Sequence, residues 1–331
     1  MIRLGVIGSN FVSDWLCDSI DRTEGIVNHA VYSRTTEKGK AFAEKHNIPT
    51  VYTDMEEFLS SDIDAVYIAS PNALHFPQAM AAIAHGKHVL CEKPIALDSR
   101  ELAQMIEAAK RNHVVLLEAM RPAFDPALSA LSDCLDRLGA IRYARFEFCQ
   151  YSSRYDKFKS GEVLNAFNPK LGNAALMDIG VYAVHTCVKV FGKPDMDHVW
   201  AQSVKLVNGF EGMGNILLPY GSLSTASNGS FTAEILYSKI TESIQPSVII
   251  GENGSVTIDK LSMPQNVVLH MRGQEPEALT FEKKTCNMEF ETAEFVRLIR
   301  GGEVSHSHMI HSVNALAVMD KARELTDTKF E

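Results

Sequence analysis

The chain lacks closely spaced cysteines. Its six, Cys17, Cys91, Cys134, Cys149, Cys187 and Cys286, are scattered with no C-x-x-C among them. That pattern argues against a zinc ribbon or a thioredoxin-like site and for reduced thiols in a cytoplasmic protein. The chain also lacks basic excess. Lys and Arg number 32 against 41 Asp and Glu, a net charge of −9. Such a surface has no bulk attraction for phosphate backbones or anionic lipid, so neither nucleic acid nor a membrane is expected as partner. One phosphate held in a local pocket stays compatible with that charge. No run of about 18 apolar residues occurs, so no membrane-spanning helix is expected. The short apolar start, residues 1–8, has no basic lead and does not read as a secretory leader. Fixed-period repeats and Gly/Ser-rich linkers are missing as well.

What is present reads as a globular enzyme-sized chain. It has 331 residues, which at roughly 150 per domain suggests two domains. Apolar residues make up 46% and charged residues 22%, which excludes wholesale disorder. The first third alternates strand-like segments (2–7, 29–33, 65–69, 88–91, 114–117) with helix-like ones (11–20, 38–46, 76–85). A further helix face is written by Leu102, Met105, Ile106 and Ala109. Such alternation predicts an α/β fold with a doubly wound parallel sheet.

The pattern changes near residues 118–125. A helix is expected over 126–138, an alternating strand over 141–149 and a helix over 174–190. From 199 to 280 short strands are punctuated by Asn208-Gly209, Pro219-Tyr220-Gly221, Asn228-Gly229, Asn253-Gly254 and Arg272-Gly273, which predicts a mostly antiparallel sheet. Helices near 288–300 and 310–326 close the chain. The expected division is 1–120 and 121–331.

Gly8, Ser9, Asn10, Phe11, Val12 and Ser13 follow the first strand and open a helix. A dinucleotide turn asks for G-x-G-x-x-G/A there. Only Gly8 is kept; Asn10 tolerates unusual backbone angles and Ser13 is small. The second strand ends on Ser33 and Arg34, with Lys38 one turn on, where an NAD site usually has an acid. Arg34 can fork onto a 2′-phosphate that an acid would repel. NADP(H) is therefore the expected cofactor, with NAD(H) possible.

Two further segments are more specific: Ala69-Ser70-Pro71-Asn72 with His75, and residues 85–94 (H-G-K-H-V-L-C-E-K-P), ending on Glu92, Lys93 and Pro94. With residues 176–182 (L-M-D-I-G-V-Y) and 251–255 (G-E-N-G-S), they resemble the Gfo/Idh/MocA family, the glucose–fructose oxidoreductase and inositol dehydrogenase group. The resemblance runs through the whole chain. It implies an N-terminal Rossmann domain, a C-terminal α/β domain with a large open sheet, and a nicotinamide cofactor. It also implies a sugar, polyol or related substrate, and a homodimer or homotetramer formed through the C-terminal sheet.

The resemblance carries roles as well. Ser70, Pro71, Asn72, His75 and Glu92 would lie on the cofactor side. Lys93 would touch cofactor and substrate oxygen, Tyr182 would exchange the hydroxyl proton, and Asp178 would orient substrate. His185 is expected as a substrate contact or a packed helix residue. Tyr182 stands where many members have His, which is similar to the dimeric dihydrodiol (xylose) dehydrogenase branch. At helical spacing Asp178 and Tyr182 would share a face. Arg121 stands where the family often has an aromatic residue, and Ala123 where it has arginine. Arg121 is a candidate contact for the cofactor or an acidic substrate group. His306, His308 and His311 read as a solvated helix start; no metal is expected. Two alternatives stand beside the oxidoreductase reading. One is a cofactor-binding regulator without chemistry. The other is a redox-neutral epimerase or lyase on a bound cofactor.

Overall fold

The computed structural model describes residues 1–221 and 230–330. The first elements are β1 (Ile2–Ile7), α1 (Phe11–Ile20), β2 (Ile26–Tyr32), α2 (Thr36–Lys45), β3 (Thr50–Tyr52), α3 (Met55–Leu59), β4 (Ala65–Ile68), α4 (His75–Ala84), β5 (His88–Glu92), α5 (Ser99–Arg111) and β6 (Leu116–Ala119). All six strands are parallel, in the order β3-β2-β1-β4-β5-β6. This is the expected doubly wound α/β sheet. β4 is buried at every position, as a strand covered on both faces should be. The expected alternation omits β3 and α3, which are too short to show a period.

The strand order reverses between β1 and β4, which opens a crevice beyond their carboxyl ends. The register fixes what lines it. Ile7 is level with Tyr32 and Ile68, and Ile68 with Cys91. Gly8, Ser33, Ala69 and Glu92 therefore each stand one residue past the same row.

The chain continues through α6 (Pro126–Asp133), β7 (Ile141–Cys149), α7 (Tyr155–Lys159) and a π turn (Leu176–Gly180) that leads into α8 (Val181–Phe191). Then come β8 (Trp200–Lys205), β9 (Glu211–Tyr220), β10 (Phe231–Ser238), β11 (Ser247–Gly251), β12 (Gly254–Ile258), β13 (Val267–Met271) and β14 (Glu277–Ala278), followed by α9 (Met288–Gly301) and α10 (His308–Leu325). The second sheet has the order β14-β13-β12-β11-β7-β10-β9-β8. It is antiparallel except where β10 runs parallel to β7. Asn208-Gly209 and Arg272-Gly273 do fall between strands, while of Asn253-Gly254 only Asn253 does, because Gly254 opens β12. Pro219 and Tyr220 instead lie inside β9. β8 begins opposite Leu217, so Pro219 removes no ladder bond on that side. Asn228-Gly229 lies outside the described residues.

One face of this sheet carries α8. Phe146, Tyr220 and Phe231 reach Phe191 with ring centroids 4.9–6.1 Å apart. Burying one such ring contributes about 1.5–3 kcal/mol. The stretch Pro169–Phe191 is the one segment among the described residues that is long and apolar enough to be compared with a membrane span. It is mostly buried inside the protein, as a core segment is. A helix apolar all round is what a core position requires.

The chain divides into two compact units, Met1–Arg121 with Lys284–Ile310 and Pro122–Lys283 with His311–Glu331. A single border therefore does not describe it, because α9 returns to the first unit. There α9 packs on α1, and Arg22 Nε donates to Glu289 Oε1 at 2.8 Å.

Candidate active site

At the first-unit edge, Gly8 has φ +110°, and a Cβ there would stand 2.7 Å from Ala69 O. Only glycine fits, so the turn needs its one remaining glycine. Asn10 does two jobs. Its Oδ1 accepts from Val12 N at 2.8 Å and caps α1, while its Nδ2 donates to Ala69 O at 2.7 Å. It thereby ties the β1 turn to the end of β4. Ser9, Asn10 and Phe11 are exposed, Val12 is half-buried and Ser13 is buried. Ser33 is buried, while Arg34 and Lys38 are exposed with no hydrogen bond or ion pair among the described residues. A dinucleotide fits this edge: a helix N-terminus faces outward, a Cβ-free turn allows close approach, and two unpaired cations stand where a 2′-phosphate would lie.

The loops after β4 and β5 are locked together. Ser70 Oγ donates to Gln78 Oε1 at 2.7 Å, and Pro71 and Asn72 are half-buried beside it. The His75 ring is fully buried between two carbonyls, with Nδ1 2.8 Å from Pro94 O and Nε2 2.9 Å from Ser70 O. Burial lowers its pKa, so the neutral ring donates to one of the two. His75 therefore serves the site by shaping both loops. The Lys93–Pro94 bond is cis. Glu92 accepts from Tyr67 Oη at 2.6 Å and Lys93 N at 3.2 Å, and Glu118 accepts from Ile95 N at 3.0 Å. The Lys93 backbone is thus fixed from both sides, with its side chain half-buried. Arg121 places its guanidinium 5.6 Å over the Trp15 ring. Burial raises the Glu92 pKa, and the charges of Lys93 and Arg121 oppose the shift.

In the second unit the motif 176–182 does not form a plain helix. The π turn covers its first five residues, so Asp178 and Tyr182 do not keep the simple i, i+4 relation. Asp178 Oδ2 pairs with Lys239 Nζ at 2.7 Å. Tyr182 is 8% exposed and meets Phe148 edge-on at 5.5 Å. His185 is buried, with its ring 6.2 Å from that of His311. Gly180 lets the Tyr237 ring approach, since a Cβ there would be 2.9 Å from its Cγ. Glu211, fully buried, accepts from Leu176 N at 3.1 Å and Tyr237 Oη at 2.5 Å.

Burial pushes the Glu211 pKa from 4.5 up to about 7, against the hydrogen bond from Tyr237. A raised carboxyl pKa means the fold favours the neutral acid. That stabilisation is complete below pH 4.5 and is lost as pH rises through 7, on the order of 3 kcal/mol in all. Glu211→Gln is expected to flatten the dependence of melting temperature on pH across that window and to melt no lower than wild type above it. Parallel curves for the two proteins would contradict this.

His306 and His308 form no solvated cluster. His306 Nε2 lies 2.9 Å from Leu116 O, and His308 Nε2 is 2.6 Å from Glu294 Oε1. Among the described residues no group of three His, Cys, Asp or Glu is arranged to hold a metal ion.

Sequence reasoning missed four buried groups near these residues. Glu291 is fully buried on α9, and burial holds its carboxyl protonated well above the usual range, with the negative charge of Glu92 adding to the effect. It sits on the stripe Met288, Glu291, Phe295, Leu298, so an acid at apolar spacing was the available signal. Glu211, Tyr237 and Lys239 carry no local signal, because their importance depends on the pairing of β9 with β10.

A family model described as an oxidoreductase family with an NAD-binding Rossmann fold matches residues 2–120. The scyllo-inositol 2-dehydrogenase (NADP(+)) IolU of Bacillus subtilis is 41% identical over 98% of this chain and 97% of its own. A trans-1,2-dihydrobenzene-1,2-diol dehydrogenase of Xenopus laevis is 30% identical over 89% of this chain and 88% of its own. Among solved structures, KijD10, a 3-ketoreductase from Actinomadura kijaniata in complex with NADP and TDP-benzene, superposes with a TM-score of 0.84. It shares 21% identity over 98% of both chains, a likeness of fold.

Proposed function

The chain belongs to the Gfo/Idh/MocA family of oxidoreductases, and from that premise we propose that it is an NADP-dependent dehydrogenase or reductase of a polyol, sugar or dihydrodiol. The observation that carries this reading is Lys93, held by the locked β5 loop one residue past Glu92, which shares a row with Gly8 and Ser33. A bound nicotinamide supplies the hydride donor or acceptor. Gly8, Ser9, Asn10, Phe11, Val12, Ser33, Arg34 and Lys38 hold its nucleotide half, and Ser70, Pro71, Asn72 and Glu92 shape the rest of its edge. Lys93 donates a hydrogen bond to the reacting oxygen and stabilises the charge that develops there. Tyr182 takes or returns the hydroxyl proton. Asp178 orients a neighbouring hydroxyl, and His185 on α8 is a further candidate substrate contact. The 41% identical scyllo-inositol dehydrogenase makes inositols the first substrates to assay.

The choice of cofactor has its own test. Charge-assisted hydrogen bonds contribute roughly 1.5–3 kcal/mol, about 10- to 100-fold in affinity. Arg34→Ala should raise the KM for NADP by that factor and leave the KM for NAD nearly unchanged. Parallel steady-state assays of inositol oxidation with both cofactors check this. A wild-type preference for NAD, or equal weakening toward both cofactors, would refute the role of Arg34.

A further inference from the structure

Lys239 is an unusual residue at its position. It follows β10 directly, and its backbone is pinned on both sides: its N–H donates to Gly212 O at 2.9 Å, and its carbonyl accepts from Ser152 N at 2.9 Å. Its side chain is only 4% exposed. The ammonium lies 5.0 Å from the Phe167 ring centroid and 5.4 Å from that of Phe210, donates to Ala166 O at 2.7 Å, and reaches Asp178 Oδ2 at 2.7 Å. Two aromatic faces, a carbonyl and a carboxylate surround one charge.

A buried ion pair is a poor device for stability, because desolvation cancels most of the attraction. It is a good device for fixing geometry. The two partners are unequal: Lys239 is sealed, whereas the Asp178 side chain is 38% exposed. The immobile member is therefore the lysine, and the member that reaches solvent is the aspartate. The π turn that carries Asp178 is braced separately, by Glu211 at Leu176 N and by Tyr237 against Gly180.

We propose that Lys239 is the positioning residue of the substrate site: it holds the Asp178 carboxylate in the orientation that receives a substrate hydroxyl, and it acts on the reaction only through Asp178. This rests on the polyol oxidoreductase reading above. A carboxylate fixed in advance loses no side-chain freedom when it binds a hydroxyl, so the effect belongs to the polyol and not to the cofactor.

The test is a double-mutant cycle on the NADP-loaded enzyme with an inositol as substrate. Lys239→Met keeps the length and apolar stem against Phe167 and Phe210 but removes the charge. It should lower kcat/KM for the polyol about 10- to 100-fold, as expected for a lost charged hydrogen bond, with the KM for NADP unchanged. Lys239→Arg should restore part of that loss. In the Asp178→Asn background, Lys239→Met should add little. Full multiplication of the two losses, or equal weakening toward NADP, would overturn the proposal. So would wild-type kcat/KM in a Lys239→Met protein that melts like the parent. If Lys239→Met does not fold, Lys239→Gln takes its place, and failure of both to fold would make Lys239 structural and overturn the proposal. A wild-type enzyme that oxidises no polyol would refute the functional reading and this proposal with it. An active wild type with an indifferent Lys239 would refute this proposal alone.

Discussion

Replacing Lys93 with alanine should lower polyol turnover by at least 10²–10⁴-fold while NADP still binds. A single preorganised donor at a developing oxyanion accounts for roughly 10²–10³ in rate. A lysine that also places the substrate oxygen should reach or exceed that range. The fold should tolerate the change. The loop bearing Lys93 is held by Tyr67 on Glu92, by His75 on Pro94 O and by Glu118 on Ile95 N, and none of these contacts uses the Lys93 ammonium. Steady-state kinetics with the fluorescence of bound NADPH as a parallel readout separates chemistry from cofactor binding. Near-normal turnover would remove Lys93 from the mechanism. Loss of cofactor binding in step with turnover would make it a cofactor clamp.

Tyr182→Phe should cost about 10²–10⁴ in kcat, the range for a positioned acid/base. The substitution is clean because phenylalanine keeps the ring that packs edge-on against Phe148 and removes only the hydroxyl. Melting temperature and cofactor affinity should therefore stay near those of the parent. Unchanged turnover in both variants would sink the catalytic assignment.

Much of the first unit was legible because buried parallel strands write themselves as short apolar runs between helical stretches. Gly8, Ser33 and Glu92 are recognisable in sequence as strand-end residues, while their common row follows from the strand register. β3 escaped because three residues carry no period, and the return of α9 escaped because adjacency in sequence says nothing about which unit a late helix joins. In the second unit the alternating strands and most turn signals were readable. The parallel pairing of β7 with β10 was not, since it links strands about 90 residues apart. The buried charges show the deeper limit. Lys239 and Glu211 look like ordinary surface residues in sequence, and only the pairing of β9 with β10 places them against the π turn. The π turn also departs from the helical spacing that relates Asp178 to Tyr182 in sequence.

The central claim is hydride transfer between a polyol and NADP. The most direct measurement uses an inositol deuterated at its reacting carbons, incubated with the protein and NADP, followed by mass spectrometry of the nicotinamide and the polyol. Hydride transfer places deuterium on released NADPH and leaves a ketone product. Deuterium retained entirely in the inositol, and likewise in a deuterated sugar and dihydrodiol, would mean a binding protein without chemistry, and its return to an epimerised product with no free NADPH would mean a redox-neutral enzyme. Either result would contradict the account.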